Sequence, residues 1–480
     1  MNHRIVIYNV GRILLVEAVL LVLPAIGSLI YGENTFFAFA LTIAALAAIG
    51  LISTHKKPEK TSLYAKEGYL IVAISWITMS LFGALPFVIS GYIPNLVDAF
   101  FETVSGFTTT GSTILSEIES LPKSLLFWRS FTHWIGGMGI LVFVIAIMPK
   151  TERTAMHIMR AEVPGPTVGK LVSKLGASAR ILYGIYCVLT VIEIILLFAG
   201  GMPLFDSIVN SFATAGTGGF AVLNNSIEGY NSLYSEIVIG IFMLIFGVNF
   251  NLYYLVIKGN IKQALKSEEL HWYLGLVTAS VLIIGLNLTV TTYHIGESFR
   301  HAFFQVSSIV TTTGFSSIDF NKWPVLSKGI LVLLMFMGAC AGSTGGGLKV
   351  SRTMILFKGF ARDLKKALNP RSIETIKIDK KTVDENIVKG VFVFGASYII
   401  VIFASCLIVS LDGFSLESTF TAVLACISNI GPGLGHFGPA SNFADLSSLS
   451  KVVLSIDMLA GRLELIPILI LFAPATWSRK

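Results

Sequence analysis

Charge is what this chain has least of. Of its 480 residues only 13% are Asp, Glu, Lys or Arg, about half the roughly 25% of an ordinary soluble domain. That scarcity over such a length excludes a soluble globular protein. Cysteine is also rare: Cys187, Cys340, Cys406 and Cys426 are scattered through apolar segments, which gives neither a disulfide framework nor the paired spacing of a zinc site. The spans hold no His/Glu metal spacing and no nucleophile with a base, so an enzyme is not expected. A phosphate-binding loop is missing as well. The glycine-rich Gly338–Lys349 stretch ends Leu348-Lys349 with Ser351 two residues on, where a nucleotide loop needs Gly-Lys-Ser/Thr. No A-x-A site follows the first apolar run, Ile5 to Ile26, and Arg12 and Glu17 interrupt it. It therefore reads as a retained helix, not a cleaved signal, with Glu17 satisfied against a neighbouring helix.

Hydrophobic residues make up 54% of the chain. Apolar runs near 5–27, 34–54, 69–91, 124–148, 179–200, 233–257, 271–293, 326–348, 388–411 and 448–475 are each about the 20 residues that cross a bilayer. The net charge of +7 suggests nucleic acid until the charges are located. With the N-terminus inside, 28 of the 35 Lys and Arg fall on cytoplasmic segments and six on outer ones (Lys123, Arg129, Arg300, Lys322, Lys328, Lys451), with Arg462 inside a span. The positive-inside rule then gives ten spans with both termini cytoplasmic. The basic excess is topological, and no nucleic-acid partner is expected.

A threonine-glycine motif recurs four times. The copies are Val104-Ser105-Gly106-Phe107-Thr108-Thr109-Thr110-Gly111, the looser Ala215-Gly216-Thr217-Gly218-Gly219-Phe220, Ile309-Val310-Thr311-Thr312-Thr313-Gly314-Phe315, and the divergent Ile427-Ser428-Asn429-Ile430-Gly431-Pro432-Gly433. Each follows a short amphipathic segment, beginning near Asp98, Asp206, His301 and Ser418, too short to span and flanked by runs that do. The order of long helix, short segment, motif and long helix repeats from residue 68 to the end. Irregular backbone at membrane depth is tolerated only where it is buried or lines water. Glycine frees the dihedrals that turn carbonyls toward an axis, and four such strands can replace the hydration shell of a monovalent cation. The expected ligands are Thr109, Thr110 and Gly111; Thr217, Gly218 and Gly219; Thr312, Thr313 and Gly314; and Asn429, Ile430 and Gly431, with Gly433 a competitor for the last glycine. Ile430 and Gly218 offer no side-chain oxygen, so the shared ligand must be backbone. With fewer hydroxyls on the second and fourth copies, the site should be less stringent than a symmetric one.

Two further stretches lie inside spans. Gly338, Gly342, Ser343, Thr344, Gly345, Gly346, Gly347 and Lys349 break a long helix just after the third motif, as a flexible gate would; a kink for close packing is the alternative. Arg462 sits about 30 residues after the fourth motif, at mid-membrane depth, where a charge faces protein or water and marks a pathway. It is expected to line the pore as an electrostatic barrier to cations, or else to pair with Glu464 or Asp457. In the cytoplasmic segment 361–387, Ile376 to Val383 alternates as a small hairpin would, either a solvated connector or a dock for a cytosolic subunit.

At these residues the sequence resembles the superfamily of K⁺ transporters that includes Trk, Ktr and plant HKT proteins, and most the bacterial TrkH branch. The resemblance rests on the four motifs, the Ala341–Lys349 loop, the Gly461-Arg462-Leu463-Glu464 run and the extra N-terminal helix pair. It implies an all-α integral membrane fold of four helix–pore-loop–helix repeats in pseudo-fourfold arrangement. The divisions are 1–67 for the helix pair, then 68–150, 151–267, 268–387 and 388–480 for the repeats. It also implies K⁺ as the transported ion with no organic cofactor, a homodimer in the bacterial cytoplasmic membrane, and a cytosolic nucleotide-binding RCK-type subunit. On the residues alone, the leading reading is potential-driven K⁺ uptake through the motif site. A Na⁺- or H⁺-coupled symporter is the alternative, with Glu17, Glu193 and Asp457 as coupling groups.

Overall fold

A computed structural model describes residues 3–58, 65–139, 175–372 and 374–477. The protein is a helical bundle whose only described strands, β1 (Lys377–Ile378) and β2 (Lys381–Thr382), pair antiparallel in the cytoplasmic segment. Asp379 and Lys380 form the turn of this hairpin with φ of 50° and 64°, the primed geometry that suits the twist of the paired strands.

The N-terminal pair consists of α1 (His3–Leu20), continued by α2 (Val22–Ile30), and α3 (Phe36–Thr54). α1 and α3 cross where Gly11 and Gly50 bring the backbones close: a Cβ on Gly50 would sit 3.0 Å from the Gly11 carbonyl. Small residues allow such approach where there is no water to drive association. Glu33, just beyond α2, accepts from the backbone N–H of Lys123 (2.7 Å) and Ser124 (3.1 Å). A carboxylate thus caps the positive end of a helix in the first repeat and ties the pair to it. Glu17 does not match its expectation. It is buried, yet neither carboxylate oxygen has a hydrogen-bond partner; a Cβ on Gly83 would stand 3.3 Å from its Oε1.

Four first helices follow: α4 (Ala65–Gly83) continued by α5 (Leu85–Ser90), α8 (Leu175–Ala199), α13 (Glu268–Thr291) and α17 (Glu385–Val409). Each precedes a short helix: α6 (Leu96–Phe107), α9 (Leu204–Gly216), α14 (Ile295–Val310) and α18 (Leu416–Ser428). Asn95 and Ser415 cap two of these through their side chains, as N-cap residues do. After each motif the chain makes a 3₁₀ turn, at Ile118–Ser120, Ser226–Tyr230, Phe320–Lys322 and Gly435–Phe437, and enters a second helix.

The second helices differ from the sequence reading. A break is expected only in the third, at the glycine-rich stretch, yet all four stop midway. α7 (Lys123–Gly137) ends at a glycine pair; α10 (Leu233–Phe246) meets α11 (Phe250–Ile257) at 89°. α12 (Ile261–Leu265) follows before the third repeat. α15 (Val325–Met337) is separated from α16 (Val350–Leu368) by the glycine-rich loop, and α19 (Ser448–Arg462) from α20 (Ile466–Phe472) at Leu463–Leu465. The short α21 (Pro474–Trp477) closes the described chain. Among the described residues six helical stretches are long and apolar enough to cross a membrane, and the α10–α11 pair, counted as one bent span, would be a seventh. Hydropathy cannot register a break that leaves composition apolar.

Candidate functional site

The four short helices end in the same way. Thr109, Thr217, Thr312 and Asn429 take left-handed φ of 55°, 55°, 61° and 56°. The next residue donates its N–H five residues back, Thr110 to Ser105 (2.9 Å), Gly218 to Ala213 (2.8 Å), Thr313 to Ser308 (2.8 Å) and Ile430 to Ala425 (2.9 Å). This is a Schellman ending, whose left-handed position usually holds glycine. Threonine there is strained by about 1–3 kcal/mol, and three copies accept that strain. Two residues on, Gly111, Gly219, Gly314 and Gly431 carry φ of 85°, 79°, 84° and 102°.

These glycines close a ring. A Cβ on Gly111 would fall on the Gly218 carbonyl oxygen, one on Gly219 on that of Thr313, and one on Gly314 on that of Ile430. One on Gly431 would lie 2.9 Å from the Thr110 oxygen, which returns to the first strand. Each glycine therefore packs against the carbonyl just before its neighbour's glycine, in the order one, two, three, four. Ser112 donates its hydroxyl to the Gly431 carbonyl at 3.0 Å and clasps the first strand to the fourth. Gly433 lies outside the ring: its Cβ would meet Thr421 Oγ1 at 3.0 Å, and its N–H bonds to the Phe437 carbonyl. A cavity of about 110 Å³ opens on the glycine side of the ring, lined by all four ring glycines together with Ser112 and Pro432.

The ring is unequal in its side chains. Thr108 and Thr110 share a hydrogen bond, as do Thr311 and Thr313, both at 2.8 Å. Asn429 donates to Thr110 Oγ1 and to the Met458 carbonyl, both at 2.9 Å, so its amide braces the ring against α19. In the second strand Gly218 stands where the first and third carry Thr110 and Thr313.

On the opposite face lies the glycine-rich loop. Its ends cross where Gly347 packs on the Gly338 Cα, both at positive φ. A Cβ on Gly345 would stand 2.9 Å from the Thr311 oxygen, and one on Gly346 would strike the Ser428 oxygen. The Gly346 N–H donates to Thr312 Oγ1 (2.6 Å), Ala341 N–H to Glu269 (2.7 Å) and Cys340 N–H to the Gly247 carbonyl (3.1 Å). Gly342 accepts from the Phe250 N–H at 3.0 Å, Ser343 donates to the Cys340 carbonyl at 2.6 Å, and Lys349 folds back onto the Gly345 carbonyl. Far from slack, the loop is pinned along its length. Arg462 joins these parts, donating to Thr109 Oγ1 (3.2 Å) and to the carbonyls of Thr344 (2.7 Å), Gly136 (2.5 Å) and Gly137 (2.6 Å). Of the two acids proposed for it, Glu464 accepts from Arg352 at 2.5 Å and Asp457 from Ser405 at 2.9 Å.

Several residues here were not singled out in the sequence. Arg129, counted there among outer charges, is buried and paired with Glu102 at 2.8 Å, and its guanidinium lies over Phe220 at 3.9 Å. Glu102 also accepts from the Ile114 N–H at 3.0 Å. His133, one turn on, contacts both Gly106 and Phe220. Only partners distant in sequence reveal these roles. Glu193 is buried with neither oxygen hydrogen-bonded.

Comparison with known proteins agrees with this architecture. The family model described as TrkH, cation transport protein, matches residues 32–479. The Trk system potassium uptake protein TrkH of Salmonella typhimurium is 37% identical over 486 residues, covering 99% of this chain and 100% of that one. TrkG of Escherichia coli is 32% identical over 479 residues, covering 99% and 98%. The crystal structure of the potassium transporter TrkH from Vibrio parahaemolyticus superposes with a TM-score of 0.90 at 33% identity and full coverage of both chains. A match over nearly the whole length, joined to the same fold, leaves one conclusion: the chain belongs to the TrkH family of cation transport proteins.

Proposed function

We propose that this protein takes up K⁺ across the bacterial cytoplasmic membrane by channel-like permeation through the four-strand ring. The observation that carries the reading is the ring's closure. Four glycines in register, each against its neighbour's carbonyl, leave backbone oxygens as the ligands common to all four strands, as in carbonyl filters for dehydrated cations. The short helices α6, α9, α14 and α18 end at the strands, so their partial negative ends favour a cation there. The Trk potassium uptake relatives support K⁺ as the ion.

The filter comprises Thr109–Gly111, Thr217–Gly219, Thr312–Gly314 and Asn429–Gly431. The Gly338–Lys349 loop is its gate, and Arg462 the fixed positive charge behind it. Inward movement is driven by the membrane potential, about 2.3 kcal/mol per charge per 100 mV, enough to concentrate a monovalent cation roughly 50-fold. The repeat divisions at 68, 151, 268 and 388, cytoplasmic termini, a homodimer and an RCK-type partner on the cytoplasmic face complete this reading.

Rb⁺ uptake into proteoliposomes under an imposed potential, at varied pH and Na⁺ gradient, is the test. Flux that follows potential alone supports permeation. Flux that requires a proton or Na⁺ gradient rejects it in favour of symport, for which the unpartnered Glu17 and Glu193 are the groups to substitute first.

A further inference from the structure

Three ring strands carry a side chain at the residue before the ring glycine: Thr110, Thr313 and Ile430. The second has Gly218 there, and its φ does not require glycine, since only Gly219 and Thr217 in that strand are left-handed. What excludes a side chain is the imidazole of His133. A Cβ on Gly218 would collide with His133 Cγ, Nδ1 and Cδ2. The imidazole is fully buried on α7, its centroid 4.2 Å from that of Phe220 with the two rings tilted by 34°.

Its hydrogen bonds fix its form. The Phe220 N–H donates to Nε2 at 3.2 Å, so Nε2 is the acceptor. Nδ1, 2.7 Å from the Gly106 carbonyl, must then carry the proton, because a carbonyl can only accept. One imidazole therefore joins the last turn of α6, which leads into the first strand, to the residue that follows the ring glycine of the second. Arg129, four residues earlier on the same face of α7, extends this grip. It donates to the Ala221 carbonyl at 3.3 Å and pairs with Glu102.

We propose that His133 is a positioning residue for cation selectivity. It occupies from a neighbouring helix the place that a strand side chain fills in the other three repeats, and it sets where the Gly218 and Gly219 carbonyls point. This deepens the filter reading and rests on it.

The experiment measures K⁺ against Na⁺ preference, by competition with Rb⁺ uptake in proteoliposomes, for full-length H133A, H133Q, H133N, G218A and H133A/G218A, with G314A as reference. Expected is at least a tenfold loss of preference for H133A and for G218A, with the double variant recovering much of it because the new methyl enters the vacated space. H133Q, whose amide reaches the Nε2 position and can accept from Phe220, should hold preference better than H133N, which reaches only Nδ1. A merely structural residue would lower protein yield and leave the preference ratio unmoved. Should H133A fail to express, the glutamine and asparagine variants decide, and equal preference in the two overturns the proposal. So does an additive H133A/G218A, or an unchanged H133A beside a G314A that has lost selectivity. An unchanged G314A instead overturns the filter reading itself, and the proposal with it.

Discussion

Gly314→Ala places a methyl where the ring is tightest. The residue must hold φ of +84°, which costs an L side chain about 1–2 kcal/mol. Its Cβ would also overlap the Ile430 carbonyl oxygen and stand 2.9 Å from Pro432 Cδ, and overpacking of this kind costs about 1–3 kcal/mol. The Ile430 N–H is fixed to Ala425 at 2.9 Å and the Gly431 carbonyl to Ser112 at 3.0 Å, so the fourth strand has little room to retreat. The combined strain of about 2–5 kcal/mol is relieved mainly by turning the Ile430 carbonyl away from the axis. At about 1.4 kcal/mol per factor of ten, removing one ligand from a four-part shell should lower K⁺ over Na⁺ preference at least tenfold. Competition of K⁺ and Na⁺ with Rb⁺ uptake in proteoliposomes reads this directly. Gly431→Ala should act in the same direction, since its Cβ presses on Thr110. Gly433→Ala, whose methyl would press first on Thr421 and Ala422 of α18 and not on a ring carbonyl, should leave the preference intact. The reasoning is refuted if Gly314→Ala keeps wild-type preference, or if Gly433→Ala is as damaging as Gly431→Ala.

Shortening Gly342–Gly347 should raise open probability in single-channel recordings, because the loop could no longer reach Thr312; unchanged gating would remove the loop from the pathway. Arg462→Ala should increase conductance and expose a cysteine placed at Ser343 to water-soluble thiol reagents, whereas loss of expression alone would point to a packing role. Glu102→Gln leaves Arg129 buried without its charge partner, both side chains being 1% exposed, and should destabilise by about 3–5 kcal/mol. A thermal midpoint in detergent within a degree of wild type would contradict that. Lys380→Gly relieves a left-handed non-glycine turn residue, so it should stabilise the cytoplasmic hairpin, seen as slower amide exchange at Ile378 and Lys381, without altering flux.

The repeat was legible because its signal is local. Threonine and glycine at fixed offsets after a short amphipathic segment encode a helix ending and a turn, and these depend on few partners. Asp379-Lys380 lacks the usual glycine, yet alternation from Ile376 to Val383 was enough to mark its hairpin. The glycine-rich stretch marked the break in the third of the second helices, but those in the second and fourth were not legible, because Gly247-Val248-Asn249 and Leu463-Glu464-Leu465 sit in runs whose average hydropathy barely changes. Charge counting likewise registered Arg129 only as one more charge and gave no sign of its burial or its pairing. Its partners Glu102 and Ala221 are 27 and 92 residues away, and no window along the chain contains both. Gly218 held the one usable clue to His133: a glycine where its three counterparts carry side chains implies that another residue fills the space.

The breaks and the loop answer a single physical demand. A helix that stops at mid-membrane depth leaves carbonyls with no intrahelical donor, and lipid supplies none. At the end of α7 the Gly136 and Gly137 carbonyls receive Arg462; at the end of α10 the Gly247 carbonyl receives the Cys340 N–H and that of Phe246 the Thr344 hydroxyl. Loop and arginine thus supply the donors that allow the second helices to end beside the ring. Withdrawing the loop would strand those acceptors at about 1–3 kcal/mol each unless water replaced the donors as it left. A partly withdrawn loop in a dry site is therefore the least stable arrangement of all. If this loop is the gate, it should have two states, seated and dry or withdrawn and hydrated, and its opening should be steeply sensitive to any substitution that lets water reach the Phe246–Gly247 turn.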